Sequence, residues 1–90
     1  MLLQNKTAVV TGCNRGIGKK ILEVFSANGA TIFACVRNIS EEFKTFLNEI
    51  KKKYNNQVIP IQFDLNDESQ IKEAASNILS SNSSIDILVN

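Results

Sequence analysis

Ninety residues with ten Lys and Arg against nine Asp and Glu carry a net charge of +1, which gives neither nucleic acid nor an anionic membrane surface an electrostatic reason to bind. There is no histidine and no Cys-x-x-Cys pair, so no metal site is expected; two cysteines, with neither a secretory leader nor an apolar span of membrane length, fit free thiols in a reducing, cytoplasmic compartment. A chain this long makes one domain and buries only a little over ~60% of its unfolded surface.

Met1 to Lys6 reads as a short polar lead-in. Thr7-Ala8-Val9-Val10-Thr11 is an apolar, β-branched run, the pattern of a buried strand. The turn Thr11-Gly12-Cys13-Asn14-Arg15-Gly16-Ile17-Gly18 follows, and Ile17, Ile21, Val24 and Phe25 then recur at the spacing of one helix face. That helix is expected to run to Ala27 or Asn28, with Asn28-Gly29 as its stop. The glycines therefore sit where a strand hands over to a helix. Glycine there admits positive φ and lets a ligand approach the backbone without a Cβ in the way. The unpaired N–H groups of the first helical turn face that ligand, and the helix dipole favours an anion. A pyrophosphate is the expected guest.

Ala30 to Val36 is apolar nearly throughout, as a strand covered on both faces should be. Ser40 is the expected N-cap of a second helix, with Glu41 and Glu42 in its first turn. Phe43, Phe46, Leu47, Ile50 and Tyr54 mark its inner face, and Lys51-Lys52-Lys53 reads as dipole complement and solvated surface. Asn55-Asn56 turns the chain into a third strand, Gln57 to Phe63. Pro60 lies inside it and cannot donate to a ladder, which places this strand at a sheet edge. Asn66 is the expected cap of a third helix begun by Asp67 and Glu68, with Ile71, Ala74, Ala75, Ile78 and Leu79 as its apolar stripe. Ser80 to Ser84 reads as a polar loop, and Ile85 leads into a fourth strand through Asp86-Ile87-Leu88-Val89-Asn90. Four strands alternating with three helices make right-handed parallel βαβ units. A doubly wound sheet of order 3-2-1-4 puts the third strand at the edge, in agreement with Pro60. Cys13 and Cys35, in or beside adjacent strands, read as small core fillers.

The spacing Gly12-x-x-x-Gly16-x-Gly18 after Thr11 differs from the G-x-G-x-x-G of many dinucleotide folds. It resembles the TGxxxGhG signature of the short-chain dehydrogenase/reductase family. Asp64-Leu65 after the third strand resembles that family's adenine-contacting Asp, and Asp86 to Asn90 resembles its fourth strand entering an Asn-Asn-Ala-Gly motif, of which the first Asn is present. The resemblance covers the whole chain and is strongest to 3-oxoacyl-(acyl-carrier-protein) reductases. It implies an α/β Rossmann-like doubly wound sheet and a cofactor site made by Gly12, Asn14, Arg15, Gly16, Ile17, Gly18, Arg37, Asp64, Leu65 and Asn90. Within that set Asp64 and Leu65 would contact adenine, although an Asp after a strand also serves simply to start a helix. Asn90 would lie beside the ribose and hold the end of its strand.

An NAD-selective site carries an acid at the end of the second strand, about 20 residues past the glycines. Val36 stands there, followed by Arg37, while Arg15 precedes the second glycine. In the family, basic residues at these two places accompany a 2′-phosphate, so NADP(H) is the expected cofactor: a guanidinium binds that phosphate through charge-assisted, often bidentate bonds, and an acid would repel it. Each arginine alone could also be a solvated surface charge.

Family members reduce a carbonyl or oxidise an alcohol with a Ser, a Tyr and a Lys from later segments. Tyr54 is the one tyrosine here and no Tyr-x-x-x-Lys pattern exists, so no catalytic residue is assigned. The resemblance thus implies that residues 1–90 are the NADP-binding part of a homo-oligomeric reductase, without its catalytic part. The alternative is a stand-alone nucleotide-binding or interaction module without chemistry. With Ile87, Leu88 and Val89 on an open edge, the isolated ninety residues are expected to self-associate through the fourth strand or to be only marginally folded.

Overall fold

A computed structural model of the chain describes residues 1–81 and 84–90. The elements alternate as β1 (Thr7–Thr11), α1 (Gly16–Ala27), β2 (Thr31–Val36), α2 (Glu41–Tyr54), β3 (Val58–Gln62), α3 (Glu68–Ser81) and β4 (Ile87–Val89). The strands form one parallel sheet in the order β3-β2-β1-β4, the expected order. Thr7 pairs with Thr31, Ala8 with Ile87 and Ala34 with Pro60. Pro60 thus lies on an edge strand, where its missing donor interrupts no second ladder.

Successive strand residues point to opposite faces, and the two faces bury different helices. Ala8, Val10, Ile32, Ala34 and Val36 share one core with Leu22 of α1 and Phe43, Leu47 and Ile50 of α2. Val9, Phe33 and Cys35 share the other with Ile78 of α3, flanked by Ile59, Ile61 and Phe63. Right-handed crossovers require this split. The chain steps one way from β1 to β3 and reverses across the sheet to reach β4, so α3 falls on the face opposite α1 and α2. The reversal places β1, with its glycine turn, at the topological switch point where open α/β sheets bind ligands.

Several details differ from the sequence reading. Leu3 of the lead-in packs against the α1–α2 core, and its N–H donates to the Asn28 carbonyl at 2.8 Å, tying the start of the chain to the end of α1. The buried residues of α1 are Leu22 and Ser26, while Ile17 is 80% exposed and Val24 also faces solvent. Ile21 and Phe25 of the expected face do pack against the core. The cap of α3 is Asp67, not Asn66: its Oδ1 accepts from the N–H groups of Ser69 at 3.1 Å and Gln70 at 3.3 Å. The Asn66 N–H instead donates to Asp64 Oδ1 at 2.9 Å. The Ser69 hydroxyl, then the Gln70 amide, hold the Asp67 carboxyl below the usual carboxylate range. Helix α3 also runs on through Ser80 and Ser81, which the sequence assigned to a loop; Asn82 and Ser83, the middle of that loop, lie outside the described residues.

Other local signals hold. Ser40 Oγ accepts from the Phe43 N–H at 3.1 Å, Asn55 ends α2 in the left-handed conformation, and Gly29 follows α1 at φ +88°. Asp86 does more than begin β4: its Oδ2 accepts from the Thr7 N–H at 2.9 Å while its own N–H donates to the Thr7 carbonyl at 2.9 Å, locking β4 to β1 in register.

Candidate functional site

The carboxyl ends of β1, β2 and β3 open into a cleft of about 340 Å³. Its floor is the strand ends themselves, Thr11, Cys35 and Val36 with Phe63. One wall is the glycine turn, held down where the Gly12 N–H donates to the Cys35 carbonyl at 3.0 Å. Gly12 and Gly16 stand at φ +61° and +60°, and the space a Cβ would take beside either is open, so the turn presents bare backbone. At Gly18 the reason for glycine is different: a Cβ there would come within 2.5 Å of the Gly12 carbonyl oxygen, so α1 can start against β1 only with hydrogen at this position.

The start of α1 is left open. Its N-cap is Arg15, whose side chain makes no capping bond, and the first turn carries no acid. By contrast α2 has Ser40, Glu41 and Glu42, and α3 has Asp67 with Glu68. Free helical N–H groups without a carboxylate neighbour are a place for an external anion. Arg15 and Asn14 line the cleft beside them.

The opposite wall comes from the segments that follow β2 and β3. Val36, the last residue of β2, is nearly fully buried and lines the floor of the cleft with an apolar side chain that offers a ribose no acceptor. Arg37 is the first to emerge: its guanidinium is largely exposed, and its Nη2 stands 3.5 Å from Asp64 Oδ2. Asp64 is fixed in turn, its N–H donating to Gln70 Oε1 at 2.9 Å. The cleft therefore brings together Gly12, Asn14, Arg15, Arg37, Asp64 and Leu65 of the expected set. Gly16, Ile17 and Gly18 form the adjoining start of α1 without lining it. Asn90 lies instead in a neighbouring apolar groove under α3, which shares Thr11, Cys35, Phe63 and Leu65 with the cleft. There the Thr11 hydroxyl donates to the Val89 carbonyl at 3.3 Å, coupling the end of β4 to the turn.

Sequence reasoning missed Phe63 and Asn66 as cleft residues. The signal was available, since both lie within two residues of Asp64 at the same strand end. Cys13 and Cys35 are free and buried, one in the core under α1 and the other under α3. Burial raises the Cys13 thiol from 9.0 to about 11, and burial followed by the charge of Cys13 raises Cys35 to about 12. Both are inert fillers rather than nucleophiles. Tyr54 spends its hydroxyl on Glu23 Oε2 at 3.4 Å, away from the cleft. Among the described residues no cluster suited to a metal ion occurs, and no helix is long and apolar enough to cross a membrane.

The family model for short chain dehydrogenases matches residues 6–90. A short chain dehydrogenase of Pseudocercospora fijiensis is 35% identical over 88 residues, which cover 98% of this chain and 28% of that protein. The 3-oxoacyl-(acyl-carrier-protein) reductase of Aquifex aeolicus is 35% identical over 88 residues, 98% of this chain and 35% of the relative. Among solved structures, L-sorbose reductase from Gluconobacter frateurii, complexed with NADPH and L-sorbose, superimposes with a TM-score of 0.87 at 30% identity, covering 98% of this chain and 33% of that one. The chain spans about a third of the length of these proteins. The glycine turn that joins β1 to α1, the sheet order it serves and a family match over nearly every residue lead to one conclusion: the chain belongs to the short-chain dehydrogenase/reductase family.

Proposed function

We propose that residues 1–90 are the cofactor-binding part of an NADP(H)-dependent oxidoreductase that moves hydride between nicotinamide and a carbonyl or alcohol. The observation that carries this reading is Arg37, a guanidinium at the mouth of the cleft immediately after Val36, which stands where an NAD-selective site presents an acid. The cleft fits the group. Gly12 and Gly16 leave bare backbone where a pyrophosphate would lie against the uncapped start of α1. Arg37 and Arg15 would take the 2′-phosphate, and Asp64 with Leu65 the adenine. Asp64 holds Arg37 beforehand, so a nucleotide would part the two and give each its own partner. Asn90, at the end of β4, would stand toward the nicotinamide ribose. When bound, the cofactor supplies the hydride.

The ninety residues would bind the cofactor without reacting it, because Tyr54 is engaged elsewhere and no other side chain here matches the proton donor of the family. On the similarity to the Aquifex reductase alone, we put a 3-oxoacyl group carried on acyl-carrier protein first among substrates.

Titration with NADPH and NADH tests the reading. NADPH should bind more tightly, and Arg37→Ala should weaken it by about tenfold or more while leaving NADH unchanged. One charge-assisted hydrogen bond is worth about 1.5–3 kcal/mol and ~1.4 kcal/mol is tenfold; the exposure of Arg37 argues for the lower end. Equal losses for both cofactors would mean that Arg37 does not read the 2′-phosphate.

A further inference from the structure

The strands β2 and β3 run side by side until Val36 faces Gln62, and the Phe63 N–H closes the ladder on the Val36 carbonyl at 3.1 Å. Beyond that bond the two chains diverge. One carries Arg37 toward α2; the other carries Asp64 toward α3, and the cleft opens between them. A side-chain bond reaches across the divergence: Gln62 Oε1 accepts the Ile39 N–H at 3.1 Å. It ties down the segment that bears Arg37 two residues past the arginine, just before Ser40 caps α2.

We propose that Gln62 is a positioning residue for selectivity between 2′-phosphorylated and unphosphorylated adenosine, holding the Arg37 segment against β3 through the Ile39 amide. The inference rests on the reading of Arg37 given above and adds to it the group that aims the guanidinium. A guanidinium presents its donors in a rigid fork, so binding a phosphate with two of them depends on direction as well as distance. Arg37 itself is exposed, and its side chain pairs with Asp64, which a 2′-phosphate would displace. Once that pair opens, the direction of the arginine is set by its backbone, which is fastened to β3 before Arg37 by the Phe63–Val36 bond and after it by Gln62. The bond lies in solvent, so water replaces it at little cost to folding. Its consequence is for aim rather than stability. Nothing in Gln62 bears on the glycine turn, so a ligand without the 2′-phosphate should not sense its loss.

The test is calorimetric titration of the full chain with adenosine 2′,5′-bisphosphate and with adenosine 5′-monophosphate. Gln62→Leu, of similar size but without the acceptor, should weaken the bisphosphate about three- to tenfold, the worth of one neutral hydrogen bond. The monophosphate should bind as before, the melting temperature should hold, and the Ile39 amide should exchange faster by NMR. Gln62→Glu, which keeps an acceptor oxygen, should restore protection of that amide. If Gln62→Leu weakens both ligands alike or neither, while Arg37→Ala still weakens the bisphosphate alone, the positioning role is overturned and the reading of Arg37 stands. If Arg37→Ala also leaves the two ligands in their original ratio, both fall together. A collapse of the melting temperature in Gln62→Leu would make Gln62 a structural residue and overturn the proposal as well.

Discussion

Gly18 has no room for a methyl group. A Cβ there would meet the Gly12 carbonyl oxygen at 2.5 Å and the Gly12 carbonyl carbon at 3.0 Å, and both are backbone atoms that cannot swing aside. Gly18→Ala should therefore push the start of α1 off the end of β1. We expect a destabilisation of about 1–3 kcal/mol, the usual cost of overpacking, and a loss of NADPH binding beyond it because the turn's N–H groups move with the helix; thermal melts and titration would check the two effects separately. The glycine pattern was legible in the sequence because each of its members answers a local backbone demand. The Arg37–Asp64 pair was not. The two residues follow different strands, and their approach to 3.5 Å depends on the β2–β3 register, which sets Val36 opposite Gln62.

At the scale of elements, α1 shows what periodicity leaves open. Ile17, Ile21, Val24 and Phe25 define an apolar stripe, but the helix lies on the sheet with Leu22 and Ser26 innermost. The helix starts close against the Gly12 carbonyl at Gly18, and Ile17 is turned out to solvent. Leu22→Ala should then cost about 2–5 kcal/mol, whereas Ile17→Ala should change stability by less than about 0.5 kcal/mol. Chemical denaturation of the two variants distinguishes this arrangement from the one periodicity suggests. The cap of α3 illustrates the same limit. Asn66, Asp67 and Glu68 could each open a helix; Asp67 does so because Asp64 already holds the Asn66 N–H in the preceding turn.

For the molecule as a whole, the two thiols make stability depend on alkaline pH. Each sits in one of the two cores, and burial raises Cys13 to about 11 and Cys35 to about 12 from 9.0. Below pH 9 both thiols are protonated, folded or unfolded, and their contribution is complete. Above it the unfolded chain releases protons that the folded chain retains, so stability falls as the pH rises through 9 toward 11–12. Melting temperatures should decline over that window, and less steeply in a Cys13→Ala, Cys35→Ala double variant, which removes the thiol share. An identical slope in the two proteins would show that the thiols titrate alike in both states.

The sequence by itself determined the alternation of strands and helices, the edge position of β3 through Pro60, the glycine turn, the missing acid at the end of β2 and the basic residue that follows it. These are local matters of backbone freedom, hydrophobic period and side-chain type. Tertiary structure alone decided which face each helix buries, that Asp86 locks β4 to β1, that Asn90 lies in the apolar groove rather than in the cleft, and that Arg37, Asp64 and Gln62 meet at one strand end. Those contacts join residues far apart in the chain, and their geometry is set by strand register and helix rotation, which the packing of the whole sheet fixes.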